Sequence, residues 1–241
     1  MTAQPDLLKI GDFAKLANTN LRTLRYYEEL GLIQPASRSQ GGFRYYRQTD
    51  IHRVQMIRDL QELGLHLEFV DITTPDGRAA LVHLGPLHKY PVLEVGGVGV
   101  FDSHAITDLL LSQHGHGGLR APHAATQIVE GNVLYAADGA LDAGIRVFYC
   151  RRDGVDIATL PFMRSEVERI ERTLAWLDGQ LRGPWCTPDD GFGLAELALA
   201  TTLEWMRFRN IADLAPHHNL LAFLAAHRER PSLLATRPPG A

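Results

Sequence analysis

The stretch IGDFAKLANTNLRTLRYYEELGLIQPASRSQGGFRYYRQTD, residues 10–50, decides the fold of the first part of the chain. Ile10, Phe13, Ala14 and Ala17 recur at helical spacing and predict a short amphipathic helix. Asn18, Thr19 and Asn20 interrupt it, and Asn20 is placed to cap a second helix over 21–30. In that helix Leu21, Leu24 and Tyr27 are expected to pack inward, and Gly31 offers a stop. Two short helices around a tight, capped turn are a helix-turn-helix. Beyond Pro35, Gly41-Gly42 between Arg38 and the run Phe43 to Tyr46 predicts a hairpin. Thr49 or Asp50 then caps a longer helix over 51–63, with an apolar stripe of Val54, Ile57 and Leu60 or Leu63.

Working outward, charge is distributed unevenly. The 241 residues carry a formal net charge of −4, which by itself argues against nucleic acid. Residues 1–70, however, hold 9 Lys/Arg against 8 Asp/Glu, and the remainder 15 against 20. Between 22 and 47, Arg22, Arg25, Arg38, Arg44 and Arg47 face only Glu28 and Glu29. A local basic patch of this kind, not the whole-chain sum, makes a phosphate-binding footprint.

With its turn and wing, this segment resembles the DNA-binding domain of MerR-family transcription regulators, most specifically in TLRYYEELGLIQP followed by an arginine and GGFRYY. The resemblance implies a homodimer that binds double-stranded promoter DNA at an inverted repeat. A recognition helix needs Arg and small polar residues near its start to reach bases and phosphates. Arg22 and Thr23 fit base or phosphate contact, and Arg25 a phosphate. Tyr26 and Tyr27 are both candidates, one of the two rings being needed for the core. In the wing Arg38 and Arg44 would hold the DNA backbone. Phe43 stands where the family usually has Tyr, which puts one phosphate bond in doubt or moves it to Tyr45. The long antiparallel helix through which relatives dimerise is expected to be missing, because strand-like LHLEFVDI follows at once.

From residue 65 the rhythm changes. Residues 66–72 alternate as a strand, 75–84 read as a helix, and YPVLEV with VGVF read as two strands around Gly96-Gly97. Ser103 opens a helix to about 111, GHGGLRAPH over 115–123 marks a boundary, and helices follow over 124–152, 157–182, 193–209 and 216–230. HKYPVLEVGGVGVFDSHAITDLL, with GFGLAELALATTLEW and NLLAFLAAHRERPSLLATRP, is similar to a glutathione S-transferase lacking its first strand. The expected fold is mainly α with a small β component. It comprises a winged helix-turn-helix (1–64), a truncated thioredoxin-like unit (65–114) and an all-helical bundle (123–241). Helix 51–63 would end the first module and begin the second.

The second resemblance implies glutathione or a related ligand. Its backbone partner would be Tyr90, beside a candidate cis bond to Pro91. Asp102 would meet the ligand amine and Ser103, at a helix start, its carboxylate, although Ser103 also suits a plain cap. No catalytic Tyr, Ser or Cys can be carried over, since the strand that bears it is replaced by the first module. The wing strand 43–46 could take that place and bring in Tyr46 or Thr49. Three readings therefore stand: a DNA-binding regulator with an effector and dimerisation module, a transferase with an appended DNA-binding domain, and a protein-interaction module for RNA polymerase or another protein.

Other features exclude more than they suggest. Cys150 and Cys186 lie far apart and make neither a disulfide framework nor a thiolate metal site. His114/His116 and His217/His218 lack a third ligand at suitable spacing. Without a membrane-length apolar run or a secretory leader the chain is expected in the cytoplasm, away from membranes.

Overall fold

The computed structural model describes residues 7–68, 70–72, 74–87, 89–188 and 191–236. It divides into two compact units, Met1–Gly117 and Gly118–Ala241.

The first unit begins with strand β1 (Leu7–Lys9), helix α1 (Ile10–Leu16) and helix α2 (Leu21–Glu29). Strands β2 (Ser37–Arg38) and β3 (Arg44–Arg47) form the wing, and α3 (Asp50–Glu62) closes the head. The wing is a three-stranded antiparallel sheet in the order β1-β3-β2. Leu24, Tyr27, Leu32 and Ile33 meet Phe13, Ile51, Val54 and Ile57 in one buried cluster, with the Tyr46 ring stacked on Phe13 at 4.8 Å. Leu21, expected inside, is 42% exposed. The core is centred between Leu24 and Tyr27, and at about 100° per residue Leu21 is turned to its edge.

After α3 come α4 (Pro75–Leu84), β4 (Val92–Val95), β5 (Val98–Phe101) and α5 (Ser103–His114). Gly96 and Gly97, both at positive φ, make the two-residue turn that joins β4 to β5. Gly99 in β5 lies so close to the last turn of α4 that an added Cβ would sit 1.8 Å from the Leu84 carbonyl oxygen. Only glycine allows that approach. The strand expected over 66–72 is not formed among the described residues, Phe69 lying outside them. Alternation prepares a strand, but pairing makes one, and the described residues of this segment join neither sheet. Nor does the wing strand substitute for the missing transferase strand. Among the described residues β3 is flanked by β1 and β2, and β4 pairs only with β5.

The second unit is helical: α6 (Gln127–Arg152), a 3-10 turn (Ile157–Thr159), α7 (Pro161–Gln180), α8 (Leu194–Phe208), α9 (His218–His227) and α10 (Pro231–Thr236). Val133, Ala137, Ala140, Ala143 and Val147 place small side chains every three or four residues along α6. This narrow stripe brings α7 and α8 close, and Leu174, Leu177, Leu199 and Leu203 fill the core between them. Glu166, buried on α7, receives Arg146 at 2.8 Å and Arg169. Its charge is thereby matched inside the bundle.

Candidate functional site

The start of α2 is fixed by its cap. Asn20 Oδ1 accepts from the Thr23 backbone N–H at 2.9 Å and from the Thr23 hydroxyl at 3.2 Å. Thr23 is thus held by the cap before it meets any ligand. Arg22, Arg25, Tyr26 and Glu29 follow at spacings of three and four and form one exposed face, opposite buried Leu24 and Tyr27. Neither Arg22 nor Arg25 has a hydrogen-bond or ion-pair partner among the described residues. Tyr26 is 48% exposed. Tyr27 must be removed from the surface set. Its ring is in the core, its hydroxyl donates to Gln61 Oε1 at 2.7 Å, and burial raises its pKa.

The wing is attached to this helix through one carboxylate. Glu28 Oε1 accepts from Arg38 Nη2 at 2.6 Å, and Oε2 accepts from Arg44 Nε at 2.6 Å and from the Tyr46 hydroxyl at 3.4 Å. Glu28 is nearly covered, whereas half of the Arg38 side chain is in water. Each guanidinium has five donors, so both arginines keep N–H groups for a phosphate while Glu28 fixes their direction. Burial, and then the Glu28 carboxylate, push Tyr46 up to about 12, so it remains a neutral donor. At the wing tip Phe43 is 67% exposed, with its backbone N–H donating to Ser39 Oγ at 3.2 Å. Tyr45 pairs with Ser37 across the wing and is half-buried. Arg58 of α3 donates to the Asn18 carbonyl at 2.6 Å and ties α3 to the turn between α1 and α2.

Glu28 and Arg58 were not among the residues expected from sequence. An acid in a basic stretch reads there as charge cancellation, and Arg58 lies forty positions from its partner. Their roles arise only when the wing and α3 fold back on the first two helices.

The β4–β5 hairpin gathers the second set. Tyr90-Pro91 is a cis peptide, and Tyr90 is 62% exposed. Val92 pairs with Phe101, so Tyr90-Pro91 and Asp102-Ser103 flank the same end of the hairpin. Asp102 has φ +84°, uncommon for a residue with a side chain, and its Oδ1 accepts from His104 N at 2.9 Å. Ser103 is exposed at the first turn of α5. Among the described residues no group of three His, Cys, Asp or Glu is placed to hold a metal ion.

Comparison with known proteins follows the same division. The profile of MerR HTH family regulatory proteins matches residues 8–72. Those of the glutathione S-transferase N-terminal and C-terminal domains match 52–119 and 138–230. The HTH-type transcriptional regulator ZntR of Escherichia coli is 38% identical over 64 residues, covering 27% of this chain and 45% of that protein. The mercuric resistance operon regulatory protein of Bacillus cereus is 41% identical over 63 residues, covering 26% and 48%. The chain thus spans about half the length of these curated relatives. Among solved structures, a glutathione S-transferase of Methylobacterium radiotolerans in complex with glutathione sulfonate superposes with a TM-score of 0.61 at 26% identity, over 76% of this chain and 88% of that one. One from Methylobacillus flagellatus with GSH bound reaches 0.63 at 23% identity, over 79% and 95%, and speaks for the fold alone. No helix among the described residues is long and apolar enough to cross a membrane. The chain joins a MerR-type helix-turn-helix domain to glutathione S-transferase N- and C-terminal domains, and the first two profiles overlap on 52–72, which contains most of α3.

Proposed function

We propose that the chain is a DNA-binding transcription regulator that acts as a homodimer at promoter DNA. The observation that carries this reading is the arrangement around α2. Arg22, Arg25 and Tyr26 form an open face on the helix, and Glu28 aims the wing arginines Arg38 and Arg44. Arg22 and Tyr26 would meet base edges or phosphates, with Thr23 beside them. Arg25, Arg38 and Arg44 would meet phosphates only, and Phe43 and Tyr45 would lie against the sugar-phosphate backbone. Two heads related by a two-fold axis would engage two half-sites.

The transferase-like part serves in this reading as effector and dimerisation module. Tyr90, Pro91, Asp102 and Ser103 share one end of the β4–β5 hairpin, an arrangement suited to the peptide backbone, amine and carboxylate of glutathione or a similar ligand. Such a ligand changes DNA affinity only through unequal affinity for the two arrangements of the heads.

The test is binding of the full chain to its own upstream DNA across a salt series, with and without glutathione. Sequence-specific, salt-sensitive binding is expected. Affinity no higher than for random DNA at that promoter and in a genome-wide site selection would overturn the reading.

A further inference from the structure

The helical unit 118–241 holds 13 arginines, no lysine and 15 aspartates and glutamates, so it is acidic as a whole. Its arginines are not spread evenly. α6 and α8 run side by side in the same direction. A Cβ at Gly144 would lie 3.2 Å from the Trp205 ring, Phe148 meets that ring at 6.1 Å, and Arg151 Nη1 donates to the Asn210 carbonyl at 3.0 Å. Both helices therefore end at one place, and that end carries Arg151, Arg152, Arg207 and Arg209, all exposed. Cations in the last turn of a helix complement its dipole, which accounts for Arg151, Arg152 and Arg207 singly. It does not account for how Arg209 and Arg152 are held. The Arg209 guanidinium lies over the rings of Phe148 at 4.8 Å and Phe208 at 4.7 Å, and that of Arg152 over Tyr149 at 4.6 Å. A ring holds a guanidinium by its charge and consumes none of its five N–H donors. Arg152 gives its Nε to Asp153 at 2.8 Å and keeps the rest. Arg207 and Arg209 have no hydrogen-bond or ion-pair partner among the described residues.

We propose that this end of the helical unit binds the sugar-phosphate backbone of promoter DNA outside the two half-sites that the heads read. The proposal rests on the DNA-binding reading above and adds a second contact surface to it. Arginine presents a planar fork that fits phosphate oxygens. One or two such forks hold a single phosphate. Four gathered on two helix ends, two of them steadied by rings, suit a repeating polyanion, and duplex DNA carries about one charge per 1.7 Å of its axis. Backbone contacts of this kind add affinity without base preference. Alone, an exposed patch is weakened by salt. Once a head holds its half-site, however, the second contact is intramolecular, with an effective concentration on the order of mM.

The experiment is fluorescence anisotropy of the full chain on two promoter duplexes over a salt series. One is trimmed to the two half-sites, and the other extends it by about two helical turns on each side. The wild type is expected to bind the longer duplex more tightly and with the steeper salt dependence. Arg207→Ala and Arg209→Ala should each remove one phosphate contact per chain, two in a dimer. On the longer duplex the slope of log K against log salt then falls by about 1.8, and affinity at 0.1 M salt by about 60-fold. On the trimmed duplex neither should change. Arg207 is exposed and supports no neighbour, so its variant keeps the test valid where Arg209→Ala disturbs the rings beneath it. Arg228→Ala, at the end of α9 with its side chain 67% exposed, should match the wild type on both duplexes. A wild type that gains nothing from the flanks overturns the proposal. So do variants that bind the longer duplex like the wild type, as an acidic protein partner at this surface would leave them, or that weaken equally on both. A trimmed duplex held no better than random DNA of its length, with the longer one still dependent on Arg207 and Arg209, leaves the patch standing and overturns the regulator reading.

Discussion

Arg44→Ala isolates what the wing contributes. Its Nε is held by Glu28 at 2.6 Å, which leaves the outer N–H groups for one phosphate per head, two in a dimer. Each phosphate contact contributes about 0.9 to the slope of log K against log salt, so the variant should lose about 1.8 from that slope. The same relation gives a loss of about 60-fold in affinity at 0.1 M salt and about 12-fold at 0.25 M, fading toward 1 M. Folding should suffer little. Arg38 still holds Glu28 at 2.6 Å, and the Arg44 side chain is 30% exposed, so the lost pair is worth about 0.5–1 kcal/mol. Fluorescence anisotropy on the promoter and on random DNA of equal length, each over a salt series, provides the measurement. Both DNAs should lose affinity by the same factor, because a phosphate contact carries no sequence information. An unchanged slope, or a loss confined to the specific DNA, would refute the wing geometry.

Further predictions concern individual side chains. Tyr46→Ala should cost about 3–5 kcal/mol, because it removes a fully buried ring stacked on Phe13, while Tyr46→Phe loses one long hydrogen bond and about 1 kcal/mol or less; urea titration monitored in the head separates the two. Cys186 is buried and its thiol is pushed strongly upward, by burial first and by Glu196 next, so a thiol reagent should titrate only Cys150 until the protein unfolds. Burial raises Asp50 above its ordinary value, so the folded state holds this proton more tightly than the unfolded state. Its contribution to stability is therefore present at low pH and lost as pH rises through the folded value. Asp50→Asn keeps an oxygen for the Arg47 N–H and should melt no lower than wild type at pH 7; a clear fall in Tm would show that its charge is favourable at the helix start.

The parts of this fold that sequence revealed are those decided locally. Asn20, Gly31 and the spacing of Phe13, Leu24, Val54 and Ile57 act within a few residues, and they place the head's helices. The hairpin around Gly96-Gly97 is equally local. What escaped depends on distant partners. Leu7 to Lys9 is too short to show alternation and becomes a strand only by pairing with Tyr45 to Arg47. Residues 66–72 show alternation in sequence, and the described residues among them join no sheet. Tyr26 and Tyr27 are chemically alike, and only the position of Gln61 and the core decides which of them faces solvent.

The overlap of two domains on α3 also governs how this chain can be altered. Ile51, Val54 and Ile57 belong to the core of the head, yet the match to the transferase N-terminal domain already begins at residue 52. No cut between 50 and 72 yields one intact module without amputating the other. One residue inserted in α3 would turn everything downstream by about 100° and advance it by about 1.5 Å. The two modules are therefore spliced rather than tethered, and exchanging either for a homologue requires the incoming helix to arrive with its phase already matched.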